Sequence, residues 1–329
     1  MKRVRAELQE DKPNDALEAR KEILIKNGKR LIGLSHSSNT NSAYRSDWAQ
    51  FEKWCAQHHY TSLPASEECI GSYISDLVLQ DYKANTIKRK INALQFAHQV
   101  AEKVLPITHS IQLMLAGTRK ELGTKQQGKA PLTIKMLKQM VEATNTIDNR
   151  LKSCRDKALL LIGFLGAFRR SEIVSIDVED IKIEPEGLVV NLRRSKTDQE
   201  GESALIGLPK SRDERTCPII AFKNWIELSQ IKSGPVFQSV NRHGNLTGKR
   251  LSDRAIANVV KEYVELCGYD SVNFSGHSLR AGFVTEAARA GANERSIANQ
   301  SRHKSMKTLR RYIRMGNVFT ENAANDLGL

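Results

Sequence analysis

Apolar residues recur at helical spacing along the first third of the chain. Tyr44, Trp48, Phe51, Trp54 and Cys55 fall on one face behind the polar cluster Ser38-Asn39-Thr40-Asn41, whose short hydroxyl and amide side chains start helices. After Pro64 the period continues through Ile70, Tyr73, Ile74 and Leu77. A third stretch opens near Asn85-Thr86 and carries Ile87, Ile91, Leu94 and Ala97-His98; a fourth covers Ile111 to Glu121. Four such helices within about 90 residues predict a compact all-α domain over 36–122. Ahead of it, 1–35 is dense in charges of both signs, with Leu17, Ile23 and Leu24 at helical spacing and Gly28 and Gly33 interrupting, and reads as a charged arm or extension. The polar stretch Gly123 to Pro131, bounded by glycine and proline, reads as a linker, 123–131.

The remainder, 132–329, predicts a second domain in which helices dominate. Ala158 to Phe168 is the longest apolar run, well short of the ~20 residues that span a bilayer, and it ends in Arg169-Arg170, so it reads as a buried core helix. Gly187 to Arg193 and Ser203 to Leu208 read as two strands joined by a basic tip, Ser195-Lys196-Thr197-Asp198. His277 and Arg280 open a helix that stops at Gly291. Met306, Leu309 and Ile313 make an apolar stripe with Tyr312 beside it, and 317–329 is a short tail with one small amphipathic pattern. The fold class is therefore mainly α with a small antiparallel β-sheet: an all-helical first domain and an α+β second one.

Charge changes the picture. The 329 residues carry a formal +14, which calls for a polyanionic partner. No basic amphipathic stretch with interfacial aromatics favours a membrane surface, so nucleic acid is the partner expected. The N-terminus lacks the apolar region of a signal peptide, and five scattered cysteines without zinc-like spacing read as reduced thiols, which places the protein in the cytoplasm. The adjacent pair His58-His59 has no matched partners, so no metal site and no cofactor is expected.

Cleaving a phosphodiester without metal needs a nucleophile, a proton donor for the leaving oxygen and cations around the developing charge. Arginine suits the last task because its planar fork donates two bonds to adjacent oxygens. The sequence supplies these groups in Arg169-Arg170-Ser171-Glu172, Ser195-Lys196-Thr197, Gly276-His277-Ser278-Leu279-Arg280, Ser301-Arg302-His303 and Arg311-Tyr312-Ile313-Arg314. Arg169 and Glu172, three apart, lie on neighbouring faces if helical, which lets the carboxylate hold the guanidinium. Free tyrosine titrates at about 10, so attack by Tyr312 requires a base or nearby cations.

The ordered set resembles the constellation of the tyrosine recombinases, the family of the Xer proteins, Cre and phage integrases. The resemblance covers nearly the whole chain and is weakest in 1–35. It implies a helical core-binding domain and a catalytic domain that together clamp duplex DNA. It implies catalytic roles for Arg169 (chosen over Arg170 by the Arg-x-x-Glu spacing), Lys196 as general acid with Lys210 as the fallback, His277, Arg280, His303 and the nucleophile Tyr312, with Glu172 supporting. Ser301-Arg302 stands where the family usually has Leu-Gly, a departure from the pattern. The function implied is site-specific recombination through a 3′-phosphotyrosyl intermediate, by a homo-tetramer on paired sites in double-stranded DNA, with a partner recombinase or accessory protein possible and the tail docking on a neighbouring protomer. Lys83, Lys88, Arg89 and Lys90 form a candidate DNA-facing cluster. A type IB topoisomerase and a catalytically silent DNA-binding regulator are the alternatives; a metal-dependent nuclease is disfavoured for want of an Asp/Glu cluster.

Overall fold

The computed structural model describes residues 36–123, 128–193, 203–303 and 305–318, with single positions 24, 27 and 327. The arm 1–35, the tip that carries Lys196, the middle of the linker and most of the tail therefore lie outside the described residues, single positions and edge residues aside. By internal packing the chain divides into two units, Met1–Gln126 and Gln127–Leu329.

Among the described residues four long helices build the first unit: α1 (Ser38–Gln57), α2 (Glu67–Leu79), α3 (Ala84–Val100) and α4 (His109–Glu121). Ser37, Ser66 and Thr108 cap α1, α2 and α4, each side chain accepting a backbone N–H of the first turn that would otherwise be orphaned. Phe51, Ile70, Tyr73, Ile74, Ile87, Leu94 and Ile111 fill the core at the predicted period. His98 is buried there. Its Nε2 accepts from the Ala65 N–H at 2.9 Å, so the ring proton sits on Nδ1 and goes to the Leu94 carbonyl, also at 2.9 Å.

In the second unit α5 (Ile134–Ala143), α6 (Arg150–Leu165) and the short α7 (Arg170–Ser175) precede a three-stranded antiparallel sheet. Its strands β1 (Ile181–Glu184), β2 (Gly187–Leu192) and β3 (Ala204–Pro209) run in chain order, with Val190 opposite Ile206. The two expected strands are present, and β1 adds a half-polar edge, Ile181-Lys182-Ile183-Glu184, that period-2 reading passed over. A second hairpin, β4 (Gln238–Val240) with β5 (Leu246–Arg250), was also unpredicted, because β5 is mostly exposed and lacks apolar alternation. Around these lie α8 (Pro218–Ser229), α9 (Asp253–Leu266), α10 (His277–Arg289), α11 (Glu294–Ser301) and α12 (Met306–Gly316).

The main core gathers α5, α6, α8, α9 and the inner face of β2, with Trp225, Tyr263 and Phe168 among its largest members. A smaller, separate cluster joins α10, α11 and α12: Ala281, Val284, Ala288, Ile297, Leu309 and Tyr312. Alpha-helix α10 faces both, because Leu279 belongs to the main core.

Residues 129–132 are held by the second unit: the Ala130 N–H donates to Asn273 O and the Leu132 N–H to Ser278 O. Leu132 crosses α10 at Gly282, where an added Cβ would lie 2.2 Å from the Leu132 carbonyl oxygen and 2.9 Å from both its nitrogen and the Phe164 ring. Only glycine permits that approach. Gly282→Ala is expected to cost at least about 1–3 kcal/mol, as overpacking does, because the atoms met first are backbone and cannot rotate away. Urea unfolding of the variant measures it.

Candidate active site

The pocket is built on the C-terminal end of α6. A helix end leaves backbone carbonyls without intrahelical partners, and here the chain turns sharply. Ala167 sits at φ +46, and the Phe168 ring folds back so close that a Cβ at Gly166 would lie 2.2 Å from it. Three side chains from later elements satisfy the freed carbonyls. Arg280 Nη1 donates to Ala167 O at 2.7 Å, Arg302 Nη1 to Gly166 O at 3.1 Å, and Gln300 Nε2 to Leu165 O at 2.9 Å. Cations at this negative end of the helix are also favoured by its dipole.

Arg169 follows the turn, but not on a helix as the Arg-x-x-Glu spacing suggested. It is the residue before α7, with extended φ and ψ. Glu172, in the first turn of α7, reaches back to it: the Arg169 backbone N–H donates to Glu172 Oε2 at 2.8 Å, and Arg169 Nη1 pairs with Oε1 at 2.5 Å. Burial works to raise the Glu172 carboxyl, but Arg302 and the Arg169 N–H and guanidinium outweigh it and hold it below the usual carboxylate range. Arg170 is exposed.

Arg280 lies in the second turn of α10 and is 2 % exposed. Burial and the neighbouring Arg169 press its guanidinium down to about 9, so it remains charged at neutral pH. Its Nη2 has no partner among the described residues. An unpartnered buried donor on a cation is costly unless an anion arrives.

His277, at the start of α10, places Nε2 3.1 Å from the Tyr312 hydroxyl. Burial first, then the positive charges of Arg280, Arg170, Arg169 and Arg311, depress its pKa, favouring the neutral ring. His303 is pushed down to about 3 by burial and by Arg280, Arg169, His277 and Arg302. Its tautomer follows from Ser301. That hydroxyl has one proton and gives it to Ile297 O at 2.6 Å, so at 2.7 Å it accepts from His303, whose proton is on Nδ1 and whose Nε2 carries the lone pair.

Tyr312 is 4 % exposed and packs with Leu309 and Ile297, so it belongs to the apolar face of α12 rather than lying beside it. The i, i+3, i+7 set of Leu309, Tyr312 and Gly316 is the buried one, while Met306 is 39 % exposed. Its ring centroid lies 6.1 Å from that of His277 and 6.5 Å from that of His303. The Arg311 guanidinium sits 5.2 Å from the ring centre, with Nη2 3.4 Å from the hydroxyl.

The structure thus brings Arg169, Glu172, His277, Arg280, His303 and Tyr312 together. Lys196 lies outside the described residues, although Arg193 at the base of that hairpin pairs with Asp180 at 2.5 Å. Lys210 follows β3 at the opposite end of the hairpin, where its N–H bonds Glu186 O. Sequence reading did not assign roles to Ser301, Arg302 and Arg311; the departure from Leu-Gly was the one visible mark of the first two. Among the described residues no group of three or more His, Cys, Asp or Glu could hold a metal ion. No helix among them is long and apolar enough to cross a membrane.

One member of the basic cluster on α3 is corrected. Lys90 is 2 % exposed, points into the first unit and bonds Gln50 Oε1 at 2.6 Å with Asp47 at 3.5 Å, 5.2 Å from the centre of the Tyr82 ring. It shares the inner stripe with Ile87, Ile91 and Leu94, so it is withdrawn from the candidate DNA surface. Arg89 spends part of its fork on buried Asp47 at 3.0 Å, while Lys83 and Lys88 are exposed.

Comparison with known proteins gives the family and the fold. The family model described as "Phage integrase family" matches residues 131–317, and "Phage integrase, N-terminal SAM-like domain" matches 31–103. The chain belongs to the phage integrase family, the tyrosine recombinases, enzymes that cleave and rejoin DNA. It is 39 % identical to an "Integrase/recombinase xerD homolog" of Selenomonas ruminantium over 316 residues, 95 % of this chain and 92 % of that protein. Among solved structures it is similar in fold to a lambda integrase dimer bound to a COC′ core site, with TM-score 0.60, 15 % identity, and 95 % of this chain and 83 % of that one covered. It is likewise similar to the XerH site-specific recombinase bound to palindromic difH substrate in a post-cleavage complex, with TM-score 0.59, 18 % identity, and 80 % and 71 % covered.

Proposed function

We propose that this chain is a site-specific recombinase that cuts and rejoins duplex DNA through a 3′-phosphotyrosyl link at Tyr312. The observation that carries the reading is the Tyr312 hydroxyl bonded to His277 Nε2 at 3.1 Å in a pocket that also holds Arg280 with an unspent, buried donor. A phosphodiester entering there accepts from Arg280 Nη2 and from Arg169, which Glu172 holds in place. Neutral His277 takes the phenol proton on Nε2 as Tyr312 Oη bonds to phosphorus. The bond to the 5′ oxygen breaks, and that oxygen takes a proton from Lys196, a role assigned from the motif. Charge on the five-coordinate phosphorus falls between two guanidiniums already fixed by the protein, which is where electrostatic stabilisation is largest. His303, protonated on Nδ1 alone, donates to the phosphate only after Nε2 takes up a proton, which the arriving anion favours. Attack by a 5′ hydroxyl reverses the steps and exchanges strands.

On the same reading 36–122 is the core-binding domain, 132–329 the catalytic domain, and 123–131 the connection between them. Lys83, Lys88 and Arg89 contribute phosphate contacts, and affinity is salt-dependent. The acting species is a tetramer on paired sites, with the tail 317–329 joining protomers.

The test is covalent capture on fragmented double-stranded DNA in EDTA, with denaturing recovery, peptide mapping and sequencing. The expected result is adducts at Tyr312 that converge on one inverted-repeat motif. Adducts scattered without motif favour a topoisomerase. Tight binding without adducts favours a silent regulator, and both outcomes overturn the proposal.

A further inference from the structure

Arg302 ends α11 in the left-handed conformation, φ +53. Glycine takes that backbone freely and a side chain does not. A residue kept there against the backbone preference should be held by its side chain, and Arg302 is only 12 % exposed. Its Nη1 donates to Gly166 O at 3.1 Å and Gln300 O at 2.6 Å; its Nη2 donates to Ala167 O at 3.2 Å and Glu172 Oε2 at 2.9 Å. The guanidinium lies 5.0 Å from the centre of the Phe168 ring. In return the Arg302 carbonyl accepts from Arg169 Nη2 at 3.3 Å.

These contacts close a ring. Arg169 bonds Glu172, Glu172 bonds Arg302, and the Arg302 backbone bonds Arg169. Both Nη groups of Arg302 are spent on protein acceptors and its buried Nε has no partner among the described residues, so the planar fork is turned into the protein. Its charge matters differently. One carboxylate is shared by two guanidiniums, which leaves Arg169 less neutralised than an isolated ion pair would, and still fixed in direction.

We infer that Arg302 is a positioning residue for strand cleavage: from the end of α11 it holds Glu172 and the α6 carbonyls, and through them aims Arg169 at the scissile phosphate. The inference rests on the role proposed above for Arg169.

Arg302→Gly and Arg302→Lys test it. Glycine removes the side chain and relieves the backbone together; lysine keeps the charge without the planar fork. Thermal melting reports the fold, and a ¹³C carboxyl titration reports Glu172 with no DNA present. Single-turnover adduct formation is timed on a duplex of the motif recovered by covalent capture, and affinity is measured on the same duplex across salt. In Arg302→Gly the Glu172 midpoint is expected to rise. Adduct formation is expected to slow by about 10²-fold, as a small misplacement of a reacting group does. Affinity and its salt slope are expected to stay within about twofold at this one-phosphate scale, and Arg302→Lys to recover part of the rate. A rate unchanged in a folded Arg302→Gly overturns the inference. So does a loss of affinity and salt slope that accounts for the lost rate, since Arg302 would then touch DNA itself. If the wild type forms no adduct, the proposed function fails, and the Glu172 midpoint decides alone: an unmoved midpoint overturns the coupling.

Discussion

Tyr312→Phe is expected to lower covalent DNA capture by a factor on the order of 10⁴ or more, the scale seen when a nucleophile is deleted from a working set. The change removes one oxygen. That oxygen bonds His277 Nε2 at 3.1 Å and Arg311 Nη2 at 3.4 Å, while the ring remains packed against Leu309 and Ile297. The fold should lose no more than about 1 kcal/mol, the net worth of a hydrogen bond. DNA affinity should be unchanged, because phosphate contacts come from arginine and lysine. Filter binding beside denaturing adduct assays separates the two quantities. Residual adducts at a comparable rate would show that another side chain attacks and would remove Tyr312 from the mechanism.

Glu172→Ala is expected to be more disruptive than its single carboxylate suggests. The carboxylate is 1 % exposed and pairs with Arg169 and with Arg302 at 2.9 Å. Removing it leaves buried guanidiniums with no counter-charge, and breaking such a pair from one side costs about 3–5 kcal/mol. Adduct formation should fall as well, since Arg169 loses both its carboxylate contacts. The pH dependence has a defined sign. The folded carboxyl titrates below its unfolded value. Its contribution is therefore complete above the ordinary carboxylate range and is lost as pH falls through the lower folded value. The stability gap between wild type and variant, measured by urea unfolding, should be widest near neutrality and narrow in acid. A gap that stayed constant across that range would mean that the ion pair is not what Glu172 contributes.

Much of this was legible in the sequence, for reasons that can be traced. The helices of the first unit announced themselves because one face of each is buried, and period and burial agree at Phe51, Ile70, Ile87 and Leu94. The β2–β3 hairpin was readable from Val189, Val190 and Ile206, whereas β5 is exposed over most of its length and has no apolar alternation to read. Lys90 misled because charge alone says nothing about direction. It lies between Ile87 and Leu94 on the inner face of α3, where Asp47 and Gln50 across the helix pair give it polar partners. The candidate site was visible as an ordered set of residue types. What stayed hidden was the support beneath it: the carbonyls freed at the end of α6, and Arg302, Gln300 and Ser301 that occupy them or orient a neighbour. The bonds of Arg302 and Gln300 to those carbonyls join residues more than 130 positions apart, and no local pattern encodes them.

The separate apolar cluster beneath α11 and α12 has a consequence for motion. Stability in a folded chain is divided among units that open independently, at free energies set by what each buries. The cluster that includes Tyr312 holds six buried residues among those described, and α10 contributes both to it and to the larger core. The segment bearing the nucleophile is therefore expected to open at a lower cost than the whole unit, which faster amide exchange in α12 than in α6 would show, while Arg280 stays bonded to Ala167. Substitutions at Ile297, Leu309 or Ala288 are then expected to change how often the tyrosine is presented more than they change the melting of the domain that holds the phosphate clamp.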